Sequence, residues 1–257
     1  MLIAQITDLH AGYRVEVEGR SIDTLEGVRR AVAHINAMAP RPDAVVATGD
    51  LVAEERLETY QALAEALAPL AMPLYVIPGN HDDRGLIRQV FGAAGYLPAG
   101  EGFLHYALED QELRLVALDT QNTGLVSGLL CAARLDWLSQ TLAAAPDRPT
   151  LIVMHHPPFR TGIPGFDAIG LSGRDAFGEI VARNPQIRAI ACGHVHRDIV
   201  TSWCGTLVAV TPSTGYQYPL ELKHAEELEM AAEPPAVRLF LWKPGDGLVA
   251  HLSYVPA

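Results

Sequence analysis

The sequence has few cysteines and fewer basic than acidic side chains. Its three cysteines, Cys131, Cys192 and Cys204, are widely spaced and form no Cys-x-x-Cys pair. We expect small buried thiols in a reducing compartment rather than a disulfide framework. Lysine and arginine number 19 against 30 aspartates and glutamates, so the net charge is −11. This balance argues against a nucleic-acid-binding surface.

Long hydrophobic runs are also missing. No apolar stretch reaches the roughly 18 residues that span a bilayer. The short apolar run at residues 2–6 lacks the basic flank of a signal peptide. We therefore expect a cytoplasmic protein with no membrane partner. Hydrophobic residues make up 49% of the 257 residues, enough to bury a large core, and we expect one domain over residues 1–257.

The first third of the chain alternates short apolar runs with amphipathic stretches. Residues 2–6, 44–47 and 74–77 are predicted to be buried strands. Apolar side chains recur at helical spacing over residues 25–35 and 60–70, and prolines follow both stretches. The order strand, helix, strand, helix, strand predicts a parallel half-sheet with right-handed connections.

The rest of the sequence predicts further helices and strands, but from less regular patterns. Helices are expected over residues 84–91, 133–144 and 175–182, and strands over residues 103–108, 113–118, 151–154 and 187–192. An antiparallel meander is predicted from the alternating segments 198–203, 207–210, 237–242 and 249–255. A loop with Gly and Pro at 159–171 is expected to be a lid. The acidic stretch 216–235 is expected to lie outside the core.

Polar side chains that could bind a metal follow five of the predicted strands. They are Asp8 and His10, Asp50, Asn80 and His81, His155, and His194 and His196. The carboxyl ends of strands are where ligands bind in α/β sheets. Taken singly, each motif has an ordinary explanation, because an aspartate can cap a helix and a histidine can lie in the core or a turn. Five coincidences at five strand ends favour a shared metal site.

The donor set predicts two ions rather than one. Seven ligands are too many for one ion but suit two ions that share a bridging carboxylate. Oxygen and imidazole ligands without thiolate favour Mn, Fe, Zn or Co. Two divalent ions ~3.5–4 Å apart stabilise both the attacking and the leaving oxygen of an in-line displacement, and lower the pKa of a bound water towards 7.

The five motifs resemble, in order and spacing, those of the calcineurin-like metallophosphoesterases, in particular the bacterial class III cyclic nucleotide phosphodiesterases and glycerophosphodiesterases. They are Asp8-x-His10, Gly49-Asp50, Gly79-Asn80-His81-Asp82, His155-His156-Pro157-Pro158 and Gly193-His194-x-His196. The resemblance implies an α/β fold, a four-layer α/β/β/α sandwich. It also implies two divalent or mixed-valence metal ions. One would be held by Asp8, His10, Asp50 and His196, and the other by Asp50, Asn80, His155 and His194.

By this resemblance the protein is expected to hydrolyse small phosphodiesters, either 3′,5′-cyclic nucleotides or glycerophosphodiesters, by attack of a metal-bound hydroxide. Asp50 would bridge the ions, and Asn80, His81 and His194 would touch the substrate. His81 is not needed to complete either set of metal ligands, so it could act as a general acid or hydrogen-bond donor. The alternative is that His81 only orients Asn80 or Asp50.

Other interpretations stay open at this point. A phosphomonoesterase or pyrophosphatase could use the same metal core. A metal-free scaffold, like the retromer subunit that shares this fold, would need lost ligands, and this sequence lacks none. A homo-oligomer is possible. Asp82 and Asp83 are expected to begin the next helix, and His156 to be structural. Phosphate contacts could come from the arginines near the motifs, Arg14, Arg84, Arg160 and Arg197.

Overall fold

The computed structural model describes residues 1–223 and 228–256. The strands are β1 (Leu2–Ile6), β2 (Arg14–Val17), β3 (Arg20–Asp23), β4 (Ala44–Thr48), β5 (Leu74–Ile77), β6 (Tyr106–Leu108), β7 (Arg114–Leu118), β8 (Gly128–Leu129), β9 (Thr150–Met154), β10 (Leu171–Ser172), β11 (Ile187–Cys192), β12 (Ile199–Trp203), β13 (Thr206–Val210), β14 (Ala236–Lys243) and β15 (Gly247–Tyr254). The α-helices are α1 (Thr24–Asn36), α2 (Leu57–Leu67), α3 (Arg84–Phe91), α4 (Ala132–Ala143), α5 (Pro164–Ala168) and α6 (Arg174–Ala182).

The first sheet has the order β15-β14-β1-β4-β5. Its strands β1, β4 and β5 are parallel, as the sequence predicts, while β14 is antiparallel to β1. Helix α1 begins because the Asp23 carboxylate accepts hydrogen bonds from the backbone N–H groups of Leu25 and Glu26. The apolar faces of α1 and α2 bury Val28 and Leu63 against this sheet. These helices form one outer layer.

The second sheet has the order β12-β13-β11-β9-β7-β6. The four inner strands are parallel, and the two edge strands β12 and β6 are antiparallel to their neighbours. Side chains of α4 and α6, such as Leu138 and Phe177, are buried with Ile152 and Ile190 of the sheet. Helices therefore cover this sheet too.

The two sheets pack face to face through a second set of apolar side chains. Ile3 and Val46 of the first sheet cluster with Leu115 and Val153 of the second, and all four are buried. Polar side chains also cross this layer: Gln5 Nε2, for example, donates to Thr48 Oγ1 and to the Cys192 carbonyl, both at 2.8 Å. The layers therefore run helix, sheet, sheet, helix, and the predicted four-layer α/β/β/α sandwich is confirmed.

The predicted antiparallel meander is wrong. Strands form close to the expected positions, but β12 and β13 are a hairpin of the second sheet, whereas β14 and β15 are a hairpin of the first. Strand β13 also pairs in parallel with β11. An alternating pattern indicates a strand with one buried face, but it does not specify the neighbouring strand. No pattern in the sequence predicted the β2–β3 hairpin before α1.

Smaller expectations differ as well. Cys192 is buried, but Cys204 is exposed at a turn and Cys131 is partly exposed, so the cysteines are not all buried. The segment 159–171 is not a plain loop, because it contains α5. Within the acidic stretch 216–235, residues 224–227 lie outside the described residues. Gln217 and Ala231 of this stretch pair through backbone hydrogen bonds. The one-domain organisation, the lid and the homo-oligomer stay predictions.

No helix in the described part of the chain is long and apolar enough to cross a membrane.

Candidate metal centre

All of the predicted ligands lie at the carboxyl ends of parallel strands. Asp8 and His10 follow β1, Asp50 follows β4, and Asn80 follows β5 in the first sheet. His155 follows β9 and the pair His194 and His196 follows β11 in the second sheet. Because the sheets pack face to face, these ends meet at one edge of the sandwich. Asn80 is partly exposed, and the other six side chains are buried.

One group of side chains gathers around His10. Its Nε2 lies 3.1 Å from the Nε2 of His196 and 3.7 Å from the Oδ2 of Asp50. The Nε2 of His196 lies 3.4 Å from the Oδ1 of Asp8. Four potential ligand atoms therefore converge, and Asp8, His10 and His196 form a group with the spacing that could hold an ion.

A second group gathers around Asn80. Its Oδ1 lies 3.2 Å from the Nε2 of His155 and 3.1 Å from the Nδ1 of His194. The Nε2 of His155 lies 3.5 Å from the Oδ2 of Asp50. The same carboxylate oxygen of Asp50 is thus close to His10 in the first group and to His155 in the second. Asp50 lies where a bridging ligand between two ions would be.

The backbone at this edge is unusual. Asp8, His10, Asp50, His194 and His196 all have positive φ angles, between 41° and 73°. Such angles are uncommon in residues other than glycine and cost on the order of 1–3 kcal/mol each. Strain repeated at five candidate ligands suggests that their orientation has a function. The hypothesis of a metal site explains why these side chains converge.

The charges also fit a cation. Asp8 and Asp50 are buried, and their ion-pair partners in the described chain are histidines. Burial opposes ionisation of Asp50, but the charge and hydrogen bond of His155 outweigh it and hold the pKa of Asp50 well below its usual range. Burial lowers the pKa of His10 to about 3, which keeps its imidazole neutral and able to ligate. Two carboxylates, an amide and four imidazoles match the donors that Mn, Fe, Zn or Co prefer.

Backbone carbonyl groups fix two of the imidazole rings. His155 Nδ1–H donates to the Thr48 carbonyl, and His196 Nδ1–H donates to the Tyr216 carbonyl, both at 2.8 Å. These bonds turn each Nε2 towards the centre, where its lone pair can bind an ion when the ring is neutral. Burial opposes protonation of His155, but the charge and hydrogen bond of Asp50 outweigh it and raise the pKa of His155 to about 9, so an ion there would displace its proton. The backbone N–H of His194 donates to Asp8, and that of His81 donates to Asp50 at 2.9 Å. These hydrogen bonds therefore fix the orientation of the candidate ligands without the help of an ion.

The loop after β5 is organised by Asp82. Its carboxylate accepts hydrogen bonds from the N–H of Gly79 at 2.8 Å, the N–H of Leu51 and the hydroxyl of Tyr60. Asp82 therefore joins the Asp50 loop to the Asn80 loop, and the expectation that it begins a helix is wrong. Asp83 alone caps α3. Burial and the charge of Asp50 raise the pKa of Asp82 to about 6.

Gly79 must be glycine in this loop. A Cβ there would lie 2.2 Å from the Oδ1 of Asp50, so any side chain would displace that carboxylate.

His81 differs from the seven ligand candidates because its side chain is exposed. Its ring meets the His10 ring edge-on at 4.8 Å between centroids, and its Nδ1 lies 3.3 Å from the Ala53 carbonyl. The ring therefore stands at the solvent side of the centre. This position is open to a substrate, and the catalytic role of His81 stays a prediction.

Most of the nearby arginines have other partners. Arg84 pairs with Asp119, Arg197 with Glu233, and Arg14 with Asp23. Arg160 is exposed. The idea that Arg84 or Arg197 contacts phosphate is therefore not favoured.

His156 fits the structural role expected of it. It is buried, its Nε2–H donates to the Val126 carbonyl at 3.0 Å, and its Nδ1 accepts from Thr120 Oγ1 at 2.8 Å. Both ring nitrogens are therefore already in use.

Sequence reasoning missed an aromatic wall beside the first group, formed by Tyr13, Tyr216 and Tyr218. The Tyr216 ring stacks on His10 at 5.6 Å and lies 4.9 Å from His196. Tyr218 meets His196 edge-on at 5.1 Å. These tyrosines come from segments without a recognisable motif, so only the folded chain brings them to the centre.

Comparison with known proteins agrees with this geometry. The calcineurin-like phosphoesterase family model matches residues 1–198, which include all seven candidate ligands. The chain therefore belongs to the calcineurin-like phosphoesterase family, and the family resemblance of its motifs is confirmed.

Two curated relatives extend the match along the chain. A probable glycerophosphodiester phosphodiesterase GpdQ from Arcobacter nitrofigilis is 33% identical over 256 residues, covering 99% of this chain and 93% of that protein. The 3′,5′-cyclic adenosine monophosphate phosphodiesterase CpdA from Escherichia coli K12 is 31% identical over 216 residues, covering 84% and 77%. Among solved structures, a dimetal phosphatase from Danio rerio superposes with a TM-score of 0.69 at 14% identity, covering 100% of this chain and 99% of that chain. That likeness shows the fold alone.

Proposed function

We propose that the protein is a metal-dependent hydrolase of small phosphodiesters, with 3′,5′-cyclic nucleotides or glycerophosphodiesters as its substrates. The observation that carries the proposal is the position of Asp50. Its Oδ2 lies 3.7 Å from the Nε2 of His10 and 3.5 Å from the Nε2 of His155, so one carboxylate serves both groups of ligands. The names of the relatives, GpdQ and CpdA phosphodiesterases, support the choice of diesters.

The two groups define two ion sites in this proposal. Asp8, His10, Asp50 and His196 hold one ion, and Asp50, Asn80, His155 and His194 hold the other. Mn, Fe, Zn or Co are the metals that this donor set suits. When bound, two such ions would neutralise phosphate charge and lower the pKa of a water molecule, so that it could lose a proton and attack phosphorus.

We assign the donation of a proton to the leaving group to His81. It is exposed beside the centre, and although it lies close enough to His10 and Asp50 to form a group with them, neither proposed set of ligands needs it. Its backbone N–H donates to Asp50 at 2.9 Å. A ring in this position can donate a proton to the leaving alkoxide or a hydrogen bond to a phosphate oxygen. Asn80 and His194 are proposed to border the bound substrate.

The charge of the site favours diesters over monoesters. Two divalent ions, the carboxylates of Asp8 and Asp50 and one hydroxide sum to about +1, which a diester monoanion neutralises. A monoester dianion would call for a further cation, and three of the four arginines near the motifs, Arg84, Arg197 and Arg14, are already paired. The phosphomonoesterase or pyrophosphatase alternative is therefore second.

The test compares kcat/KM for a bis-aryl phosphate with that for the matching aryl phosphate, using one preparation loaded with manganese. We expect the diester to be the better substrate. A monoester preference of tenfold or more would make the phosphomonoesterase the better interpretation. Failure to bind any ion would favour the metal-free scaffold, although all seven ligand candidates are present. A cytoplasmic location stays a prediction.

A further inference from the structure

One ring nitrogen of His194 has no partner in the described part of the chain. Its Nδ1 lies 3.1 Å from the Oδ1 of Asn80, on the side where the proposed second ion binds. Its Nε2 is buried and has no hydrogen-bond partner among the residues that the structure describes. A neutral imidazole whose Nδ1 ligates a metal carries its proton on Nε2. Metal-binding histidines almost always donate that second N–H to an acceptor.

A small cavity adjoins this histidine. Its volume is about 10 Å³, which is room for one water molecule. His194 lines it together with the polar side chains of Asp167 and Arg174 and with Thr161, whose hydroxyl already donates to Asp167 and accepts from the N–H of Ile163. A buried water is retained where it finds two to four polar partners, and this lining offers them.

Asp167 has acceptor capacity to spare. Its Oδ1 accepts hydrogen bonds from the N–H of Thr161 at 2.7 Å and from the hydroxyl of Thr161 at 2.9 Å. Its Oδ2 accepts from the N–H of Gly162 at 3.1 Å. A carboxylate has about four acceptor positions, so one position on Oδ2 is left. Asp167 is thus the acceptor in this cavity best able to serve His194 through a water.

We propose that a water in this cavity accepts a hydrogen bond from the Nε2–H of His194 and donates one to Asp167, so that Asp167 is a positioning residue for the second ion. The proposal rests on the proposed function, in which His194 is a ligand. Asp167 belongs to α5, within the segment 159–171. The ring of Phe166, its neighbour, lies 5.7 Å from the His194 ring. In this proposal the segment orients a ligand, a role separate from that of the predicted lid.

The experiment is titration calorimetry of the metal-free protein with manganese, with no substrate present. The unaltered chain is expected to bind two ions. Asp167→Asn is expected to keep the affinity for the first ion and to bind the second roughly 10- to 100-fold more weakly, the usual effect of losing such a partner. The control is Asp147→Asn, which alters an exposed carboxylate between α4 and β9 and should leave both affinities unchanged.

A merely structural role of Asp167 is separable from this one. Thr161→Val removes the hydroxyl that donates to Asp167 but keeps the carboxylate, so the second affinity should stay within about threefold of the unaltered value, less than the loss expected for a ligand's partner. An equal loss in Thr161→Val and Asp167→Asn would mean that Asp167 only holds the turn. A crystal structure of the manganese-loaded protein is expected to show one water between His194 and Asp167.

Two kinds of failure are distinguishable. If the unaltered chain binds two ions and Asp167→Asn binds them equally well, or if the loaded crystal shows no such water, the role of Asp167 is overturned alone. If the unaltered chain binds only one ion, the two-ion function itself is overturned, and the role of Asp167 with it.

Discussion

Arg84 donates hydrogen bonds to both carboxylate oxygens of Asp119, from Nε at 2.6 Å and from Nη2 at 2.9 Å. Asp119 is fully buried at the end of β7 and also accepts from the backbone N–H groups of Leu104 and Gln121, both at 2.9 Å. Arg84 is the first residue of α3, just after the loop that carries Asn80. The pair therefore fastens this loop of the first sheet to the second sheet.

The first prediction concerns the stability of this pair. Arg84→Met should lower the free energy of unfolding by about 3–5 kcal/mol, because it leaves the Asp119 carboxylate buried without its cation. Urea denaturation measures the loss. The control is Arg14→Met, whose side chain is 81% exposed and pairs with Asp23 at 2.7 Å. An exposed pair contributes at most about 1 kcal/mol. Equal losses in the two variants would show that burial of the Asp119 pair contributes nothing.

The second prediction is a pH dependence from His105. Its Nδ1 accepts a hydrogen bond from the N–H of Asp119 at 3.0 Å, and its ring stacks on Trp137 at 4.7 Å. Burial lowers the pKa of His105 to about 4, from an ordinary value of 6.5. Between these two values the unfolded chain binds a proton that the folded chain does not. Stability should therefore fall as the pH falls from 6.5 to 4, by up to about 3 kcal/mol for this group.

His105→Asn isolates this contribution, because asparagine offers an oxygen near the position of Nδ1 but does not titrate. The quantity to measure is the free energy of unfolding at several pH values for both proteins. Other buried histidines contribute equally to both profiles, so they cancel in the difference. A constant difference between pH 6.5 and 4 would mean that His105 protonates as readily in the folded chain as in the unfolded one.

The site was predictable because each candidate ligand follows directly from the end of a buried strand. The apolar runs before Asp8, Asp50 and His155 are fully buried, so the sequence locates both the strand and its end. Parallel strands present those ends at one edge, which brings distant motifs together. Buried apolar runs and the polar residues after them were therefore enough to choose the candidate side chains, whereas the division of seven of them between two ions came from the family resemblance.

Strand order and the surroundings of the site could not be derived in this way. Strand β14 pairs with β1 although more than 200 residues separate them, and its alternating pattern would suit several neighbours. Asp82 and Asp83 are the same residue type at adjacent positions, yet only the carboxylate of Asp82 accepts hydrogen bonds from Leu51 and Tyr60 across the fold. The aromatic wall depends likewise on contacts between remote segments. Such contacts follow from tertiary packing, which leaves no local pattern.

The third prediction concerns Asp50. Asp50→Ala removes the carboxylate that lies close to both His10 and His155. We expect the purified variant to hold fewer than one ion per chain and to lose nearly all diesterase activity, since both sites share this ligand. Elemental analysis measures the ions. Asp147→Ala, an exposed carboxylate between α4 and β9, is the control and should keep two ions. Two ions retained by Asp50→Ala would contradict a bridging role.

The last prediction separates the two roles considered for His81. Its side chain is exposed and lies outside both ligand groups, so His81→Ala should keep the fold and both ions. We expect kcat to fall by roughly 10²–10⁴, the range for a positioned proton donor. The loss should be smaller for a nitrophenolate leaving group than for an alkoxide, because a weakly basic leaving group needs less protonation. Rates on the two diesters, at matched metal content, measure this dependence. Equal losses on both substrates would argue for a purely structural role of the His81 ring, which meets the His10 ring edge-on at 4.8 Å.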